Sequence, residues 1–173
     1  MKRIVFVGLV IFLGFILQST VFSELKLAGV SPNILLIITT FFGFMRGRKE
    51  GMITGFFCGL INDIFYGIHF GAFTLIYMLI GYLNGFFRKI FFGDDIKLPM
   101  LWVGLSDILY GFIMYAIFYL PRGRNDAYYY IMNIIFPEAV YTILVSLALY
   151  FIVYKLNEWL EKSEKRSESN LVR

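Results

Sequence analysis

The 173-residue sequence is short of charge: Asp, Glu, Lys and Arg make up 16% of it, where a soluble domain carries about 25%. Cysteine and histidine occur once each. Cys58 therefore has no intrachain disulfide partner, and its apolar surroundings suit a small packing residue. His69 has no second histidine or cysteine nearby, which argues against a zinc-type centre. The serines lack a histidine partner, and neither a P-loop nor a paired-cysteine motif occurs. The remaining polar groups are too dispersed for a catalytic constellation. The expectation is a non-enzyme, with no catalytic residue, no cofactor and no metal.

Apolar residues are abundant instead, at 59% hydrophobic and 20% aromatic, and they lie in long runs. A helix of about 20 apolar residues crosses a hydrocarbon core of about 30 Å. Runs at 4–22, 31–45, 51–66, 71–87, 99–120 and 134–154 predict an all-α membrane protein with six transmembrane helices in one compact bundle, residues 1–154. The first run ends Leu17-Gln18-Ser19-Thr20 without a small-x-small exit, and reads as an uncleaved span rather than a signal peptide. Pro32 opens the second run, where its missing N–H does no harm, and residues 46–50 read as a tight charged turn. The second and third runs are short, and predict shielding within the bundle or a locally thinned membrane. Tyr128–Tyr130 has the aromatic character of a membrane–water interface. The charged tail, 155–173, pairs Glu158 with Lys162 and Glu161 with Lys165 at i,i+4, which extends the sixth helix by two or three turns. Residues 167–173 are expected to be disordered.

The net charge of +4 marks a side of the membrane rather than a nucleic-acid partner. Six spans put both termini on one side, with 13 lysines and arginines there against only Lys26, Arg122 and Arg124 on the other. By the positive-inside rule both termini are cytoplasmic.

One stretch organises the rest. From Gly51 to Gly71 a small or acidic residue recurs every fourth position: Gly51, Gly55, Gly59, Asp63, Gly67, Gly71. Such a row lies along one helix ridge, and glycines there let a second helix approach backbone to backbone. The five glycines are read as a helix-packing ridge, and the third span as a helix buried at the bundle centre. Asp63 lies about 18 Å from the cytoplasmic end of its span, past mid-depth, and Asp107 lies near mid-depth of the fifth. A charged aspartate at a helix centre costs about 2.5–3.5 kcal/mol on insertion scales, so both should face the bundle. Gln18, Asn33 and Glu138 fall near the outer ends of their spans. Together with Asp63 and Asp107 they are the expected buried polar cluster. Three roles remain open for it: hydrogen-bonding glue, a partner-docking surface, or an ion or substrate path. Gly59–Gly67 also echoes Gly104–Gly111 around the two aspartates, by an ancient parallel repeat or by chance.

Leu17-Gln18, Pro32-Asn33, the Gly55-x3-Gly59-x3-Asp63-x3-Gly67-x3-Gly71 series and Asp107 together resemble the MreD family, the rod shape-determining integral membrane proteins of bacteria. The resemblance covers about residues 4–154, and neither Pro137-Glu138 within it nor the tail is among the features that it maps. It implies a fold similar to the S components of energy-coupling-factor transporters. It also implies a non-enzymatic scaffold in the inner (cytoplasmic) membrane that supports cell shape and peptidoglycan synthesis. The implied partners are MreC, a bitopic membrane protein, and indirectly MreB, RodA and a class B penicillin-binding protein, besides membrane lipid. The alternative is an S-component-like substrate-binding subunit of a small-molecule or vitamin transporter. Against it, the first span lacks the small-x-x-x-small pairing used there for docking, since Gly8 and Gly14 are six apart. Gly81 with Gly85, or Gly8 with Gly14, are the candidate small-residue faces for a partner helix.

Overall fold

A computed structural model describes residues 2–27, 29–67, 71–90, 97–122 and 126–171. His69, Asp94, Asp95 and residues 123–125 lie outside the described residues. The described chain is all-helical, with six helices: α1 (2–24), α2 (Ile34–Arg46), α3 (Arg48–Tyr66), α4 (72–90), α5 (97–122) and α6 (127–171). Three stretches are long and apolar enough to cross a membrane: Val5–Glu24, Lys97–Tyr119 and Ala127–Trp159.

The central helix is α2, not the glycine-ridged α3 expected there. Every residue from Ile34 to Met45 is buried. At 13 residues α2 is about 20 Å long, too short for a bilayer core. Its neighbours enclose it, so it need not meet lipid at all. Its N-terminus is capped by Asn33, whose side chain accepts the Leu36 N–H at 3.2 Å. Pro32 stands just before that cap. The expected five-residue turn at 46–50 is a single residue: Gly47, at φ +98°, ends α2 and α3 starts at Arg48.

Helix α3 buries one stripe, Gly51, Thr54, Gly55, Cys58, Gly59, Asn62 and Asp63, and exposes the other face. Phe57, Ile64 and Phe65 are among its exposed side chains. Steps that alternate between three residues and one are those of a single amphipathic face. A Cβ on Gly51 or Gly55 would strike the α4 backbone at Gly81 or Tyr77, and one on Gly59 would lie 2.5 Å from Thr74 Cα. Only these three glycines of the series form the packing ridge. Gly67 stands past the helix, with its N–H on the Asp63 carbonyl, and Gly71, at φ +98° with open space around it, turns the chain into α4. The reason is length: α3 ends at Tyr66, so the fourfold repeat outlasts the helix that gives it meaning.

The face with Gly81 and Gly85 is not free for a partner. Cβ atoms there would strike Gly51 and Arg48 on α3. Gly14 packs on the Ile38 side chain, whereas Gly8 meets nothing within 4 Å. Helix α1 is peripheral, with only 11% of its most apolar window buried.

Three helices widen into π turns, at Leu17–Val21, Tyr115–Tyr119 and Ile131–Ile135. Two precede prolines. Pro137 offers no N–H to Asn133 and its ring crowds that carbonyl, and the helix absorbs the defect by closing Phe136 N–H onto Ile131 O. Leu120 N–H bonds Tyr115 O in the same way before Pro121. In α1, the Ser19 and Thr20 hydroxyls both bond the Ile16 carbonyl and compete with the ladder. As a result α6 begins at Ala127 rather than 134, taking in Tyr128–Tyr130, and it continues to Leu171 through most of the stretch expected to be disordered. Long helix formers with few breakers between 155 and 171 sustain it.

Gly59→Leu should lower the yield of monodisperse protein and the melting temperature, because overpacking costs about 1–3 kcal/mol and here the obstacle is backbone. Gly8→Leu should leave both unchanged. Fluorescence-detected size-exclusion chromatography with thermal ramping separates the two; equal losses would mean that the α3–α4 contact is not close.

Candidate functional site

The expected polar residues divide into two groups and a third, isolated carboxyl. Asp63 belongs to the α3–α4 hairpin. Its carboxyl group accepts the backbone N–H groups of Phe73, at 3.1 Å, and Thr74, at 2.8 Å, together with the Thr74 hydroxyl. These N–H groups are among the first in α4, which have no partner inside their own helix. Asp63 is therefore an N-terminal cap supplied by the preceding helix. The positive end of α4 offsets its negative charge.

The second group surrounds the cap of α2. Tyr77 donates its hydroxyl to Asn33 Oδ1 at 2.6 Å and accepts from Asn62 Nδ2 at 3.0 Å. The Asn33 backbone N–H donates to Thr142 Oγ1 at 3.2 Å, and Gln18 Oε1 accepts the Leu35 N–H at 3.0 Å. Four other helices thus converge on the start of α2, from α1, α3, α4 and α6. A cavity of about 360 Å³ opens beside them, at the end of the bundle away from the termini. Gln18, Asn33, Asn62, Tyr77, Tyr110 and Glu138 line it, with Lys26 at its edge. Asp63 does not.

Asp107 stands apart. It is 3% exposed, and neither carboxyl oxygen has a hydrogen bond among the described residues. Its electrostatic neighbours on α6 are Glu138 and Thr142. Gly104 and Gly111, on either side of it, receive the side chains of Ile143 and Ile135 and so bring α5 against α6. Despite their matching sequence settings, the two aspartates differ in role: one completes a helix end and the other is left without a partner.

Sequence reading missed Tyr77, Asn62, Tyr110, Thr142 and Ser106. Ser106 Oγ accepts from Asn84 Nδ2 at 2.8 Å and ties α4 to α5. A signal for Tyr77 existed: it precedes Gly81 and Gly85 at the same four-residue step, which puts it on their contact face. Thr142 and Ser106 carry no such signal. At the other end Arg46 Nε donates to Asn157 Oδ1 at 2.8 Å, joining α2 to α6. Among the described residues no three His, Cys, Asp or Glu side chains gather as a metal site would need.

Membrane-capable helices around a short enclosed helix, held by buried amides and carboxyls, define an integral membrane protein with a polar-cored helical bundle. A family model for the rod shape-determining protein MreD matches residues 1–159, and the chain belongs to that family. It is thus a membrane protein of the bacterial rod-shape system. None of the curated proteins and none of the solved structures compared with the chain matches it.

Asp63→Ala should destabilise the protein by about 2–3 kcal/mol, because it strips three hydrogen bonds from a buried helix end. Asp63→Asn, which keeps an acceptor oxygen, should recover at least half of that. Reversible unfolding in mixed micelles measures both, and an Ala variant as stable as the parent would remove the capping role.

Proposed function

We propose that the chain is a non-enzymatic scaffold of the cell-elongation machinery. On this reading it crosses the inner membrane six times, has both termini in the cytoplasm, and binds MreC in support of cell shape and peptidoglycan synthesis. The family match over residues 1–159 carries the reading. The 13-to-3 distribution of basic residues supports the orientation, and the burial of α2 supports a crossing by a helix too short to face lipid. Most buried polar side chains are engaged in holding helices together: Asp63 caps α4, Asn33 caps α2, and Asn84 joins α4 to α5. That is the behaviour of hydrogen-bonding glue. MreB, RodA and a class B penicillin-binding protein would be reached indirectly.

The partner must be held mainly through helix faces within the bilayer. Of the four candidate glycines only Gly8 is open, on a helix whose Val5, Leu9, Phe12 and Leu13 are all exposed. A transmembrane helix of a bitopic partner fits such a face, because a glycine permits close approach where lipid tails give no hydrophobic drive.

Depletion in a rod-shaped host should round the cells and scatter wall labelling, and affinity purification from detergent should recover a single-span protein. Depleted cells of unchanged width, or recovery of an ATPase module in place of a bitopic partner, would overturn the scaffold reading.

A further inference from the structure

Hydrogen-bonding glue explains the polar groups around Asn33, but not a second cavity at the opposite end of the bundle. There Phe6 packs on Trp159, with 5.2 Å between ring centroids, so this end carries the start of α1 and the far part of α6. About 640 Å³ opens around the one-residue turn between α2 and α3. Arg46, Arg48, Lys49 and Arg88 line it, and Glu50 is the one carboxylate among the lining residues. The preference for basic residues on one side of a membrane accounts for their sign. It does not require four cations from three helices to share one hollow, where they repel each other.

The convergence is built into the backbone. A Cβ on Gly85 would strike the backbone of Arg48, so the end of α4 meets the start of α3 with no side chain between them. The stem of Arg88 crosses the turn itself, where a Cβ on Gly47 would lie 3.1 Å from Arg88 Cδ. Arg46 is held by Asn157, just past the apolar run of α6, which sets the cavity at the depth where headgroups begin. The Arg48 guanidinium carbon is 3.5 Å from the centre of the Phe86 ring. A separation that short lays the planar group flat on the ring and leaves its N–H edge for an anion. Helix α3 also starts here without a side-chain cap, so the positive end of its dipole adds to the field.

The surroundings select the anion. Phe86 ends an exposed apolar stripe on α4, Leu75, Leu79, Tyr82 and Phe86, whose spacing keeps to one helix face. The Tyr82 and Phe86 rings meet edge to face at 5.1 Å, so the stripe runs without a break into the cavity. Cations at the head of a lipid-facing stripe suit a molecule with a phosphate at one end and acyl chains at the other. We propose that this cavity binds the headgroup of an anionic phospholipid, with its acyl chains along the α4 stripe. Arg48 and Arg88 offer N–H pairs to the phosphate oxygens, and Arg46 and Lys49 add charge. A phosphoethanolamine headgroup would bring a fifth cation into the hollow and is disfavoured.

Native mass spectrometry of the full chain in detergent, incubated with equal amounts of phosphatidylglycerol and phosphatidylethanolamine of the same acyl composition, tests the proposal. One phosphatidylglycerol per chain should be retained, at least about tenfold in preference to phosphatidylethanolamine. Lys49→Gln/Arg88→Gln and, separately, Arg48→Gln should each lower that retention about tenfold or more. Lys2→Gln/Arg3→Gln, which removes two charges from the same end of the bundle, should retain the lipid as the parent does. Melting curves show which variants fold, and the exposed Lys49–Arg88 pair decides the matter if Arg48→Gln does not fold. Inorganic phosphate separates the two sources of the anion: it should not displace the lipid at equal concentration, and displacement would assign the site to free phosphate instead. That result, equal retention of the two lipids, undiminished retention by folded Lys49→Gln/Arg88→Gln, or an equal loss in Lys2→Gln/Arg3→Gln would overturn the proposal.

Discussion

The fold depends on three helices touching through bare backbone. Gly43 of α2, Gly51 of α3 and Gly81 of α4 meet at one point, where a Cβ on Gly43 would lie 2.7 Å from the Gly81 carbonyl oxygen and one on Gly51 would lie 2.6 Å from Gly43 Cα. In lipid the hydrophobic effect gives no drive for helices to associate, so dispersion between closely fitted surfaces must supply it. Side chains at these positions would hold the backbones apart and weaken that attraction. The junction fixes α2 against the α3–α4 hairpin, and the hairpin in turn places Asp63 against the start of α4. The Tyr77 hydroxyl reaches the start of α2 from one ridge step away. The polar geometry of the bundle is thus set by where it has no side chains.

Burying α2 has a consequence for its ends. A 13-residue helix surrounded by others cannot lean on headgroup water for its first N–H groups, so protein must satisfy them. Asn33 Oδ1 takes Leu36 N–H, Gln18 Oε1 takes Leu35 N–H, and Thr142 Oγ1 takes that of Asn33. This gathering explains why amides from distant parts of the chain meet at one depth. It also explains the difference between the carboxyls. Asp63 is enclosed by donors because α4 begins beside it, while Asp107 sits in mid-helix where the ladder has no N–H to spare.

Helix number, helical class and the glycine contact were legible in the sequence because each leaves a one-dimensional trace: long apolar runs, and spacing at four. Which helix is central was not. The glycine series drew attention to α3, yet α2, an apolar run with no distinctive motif, is the one enclosed on all sides. Burial depends on how six helices are arranged, and no single segment encodes that. The series misled a second time at Gly67 and Gly71, where the same spacing continues past a helix end and glycine serves the turn. The polar cluster was legible as a list and not as a partition. Depth along each span placed Gln18, Asn33, Asp63 and Glu138 at a common level, but azimuth decides contact, and azimuth turns Asp63 toward α4 and away from the cavity.

The π turns join these threads. A helix that takes one residue more in a turn rotates everything beyond it by about 100° relative to an unbroken helix. Gln18 sits inside the turn at Leu17–Val21, and Glu138 follows the turn at Ile131–Ile135 by three residues. Apolar periodicity read from the sequence of either span would therefore misplace its polar residue around the helix. Local hydrogen bonding carries the cost of this: hydroxyls of Ser19 and Thr20 at one site, the missing N–H of Pro137 at the other. The first defect contains a cavity-lining residue and the second lies three residues before one, whereas α2, which needs only to be enclosed, has none. Regular helix builds the enclosed core, and two of the three π turns redirect the polar side chains, Gln18 and Glu138, that line the cavity.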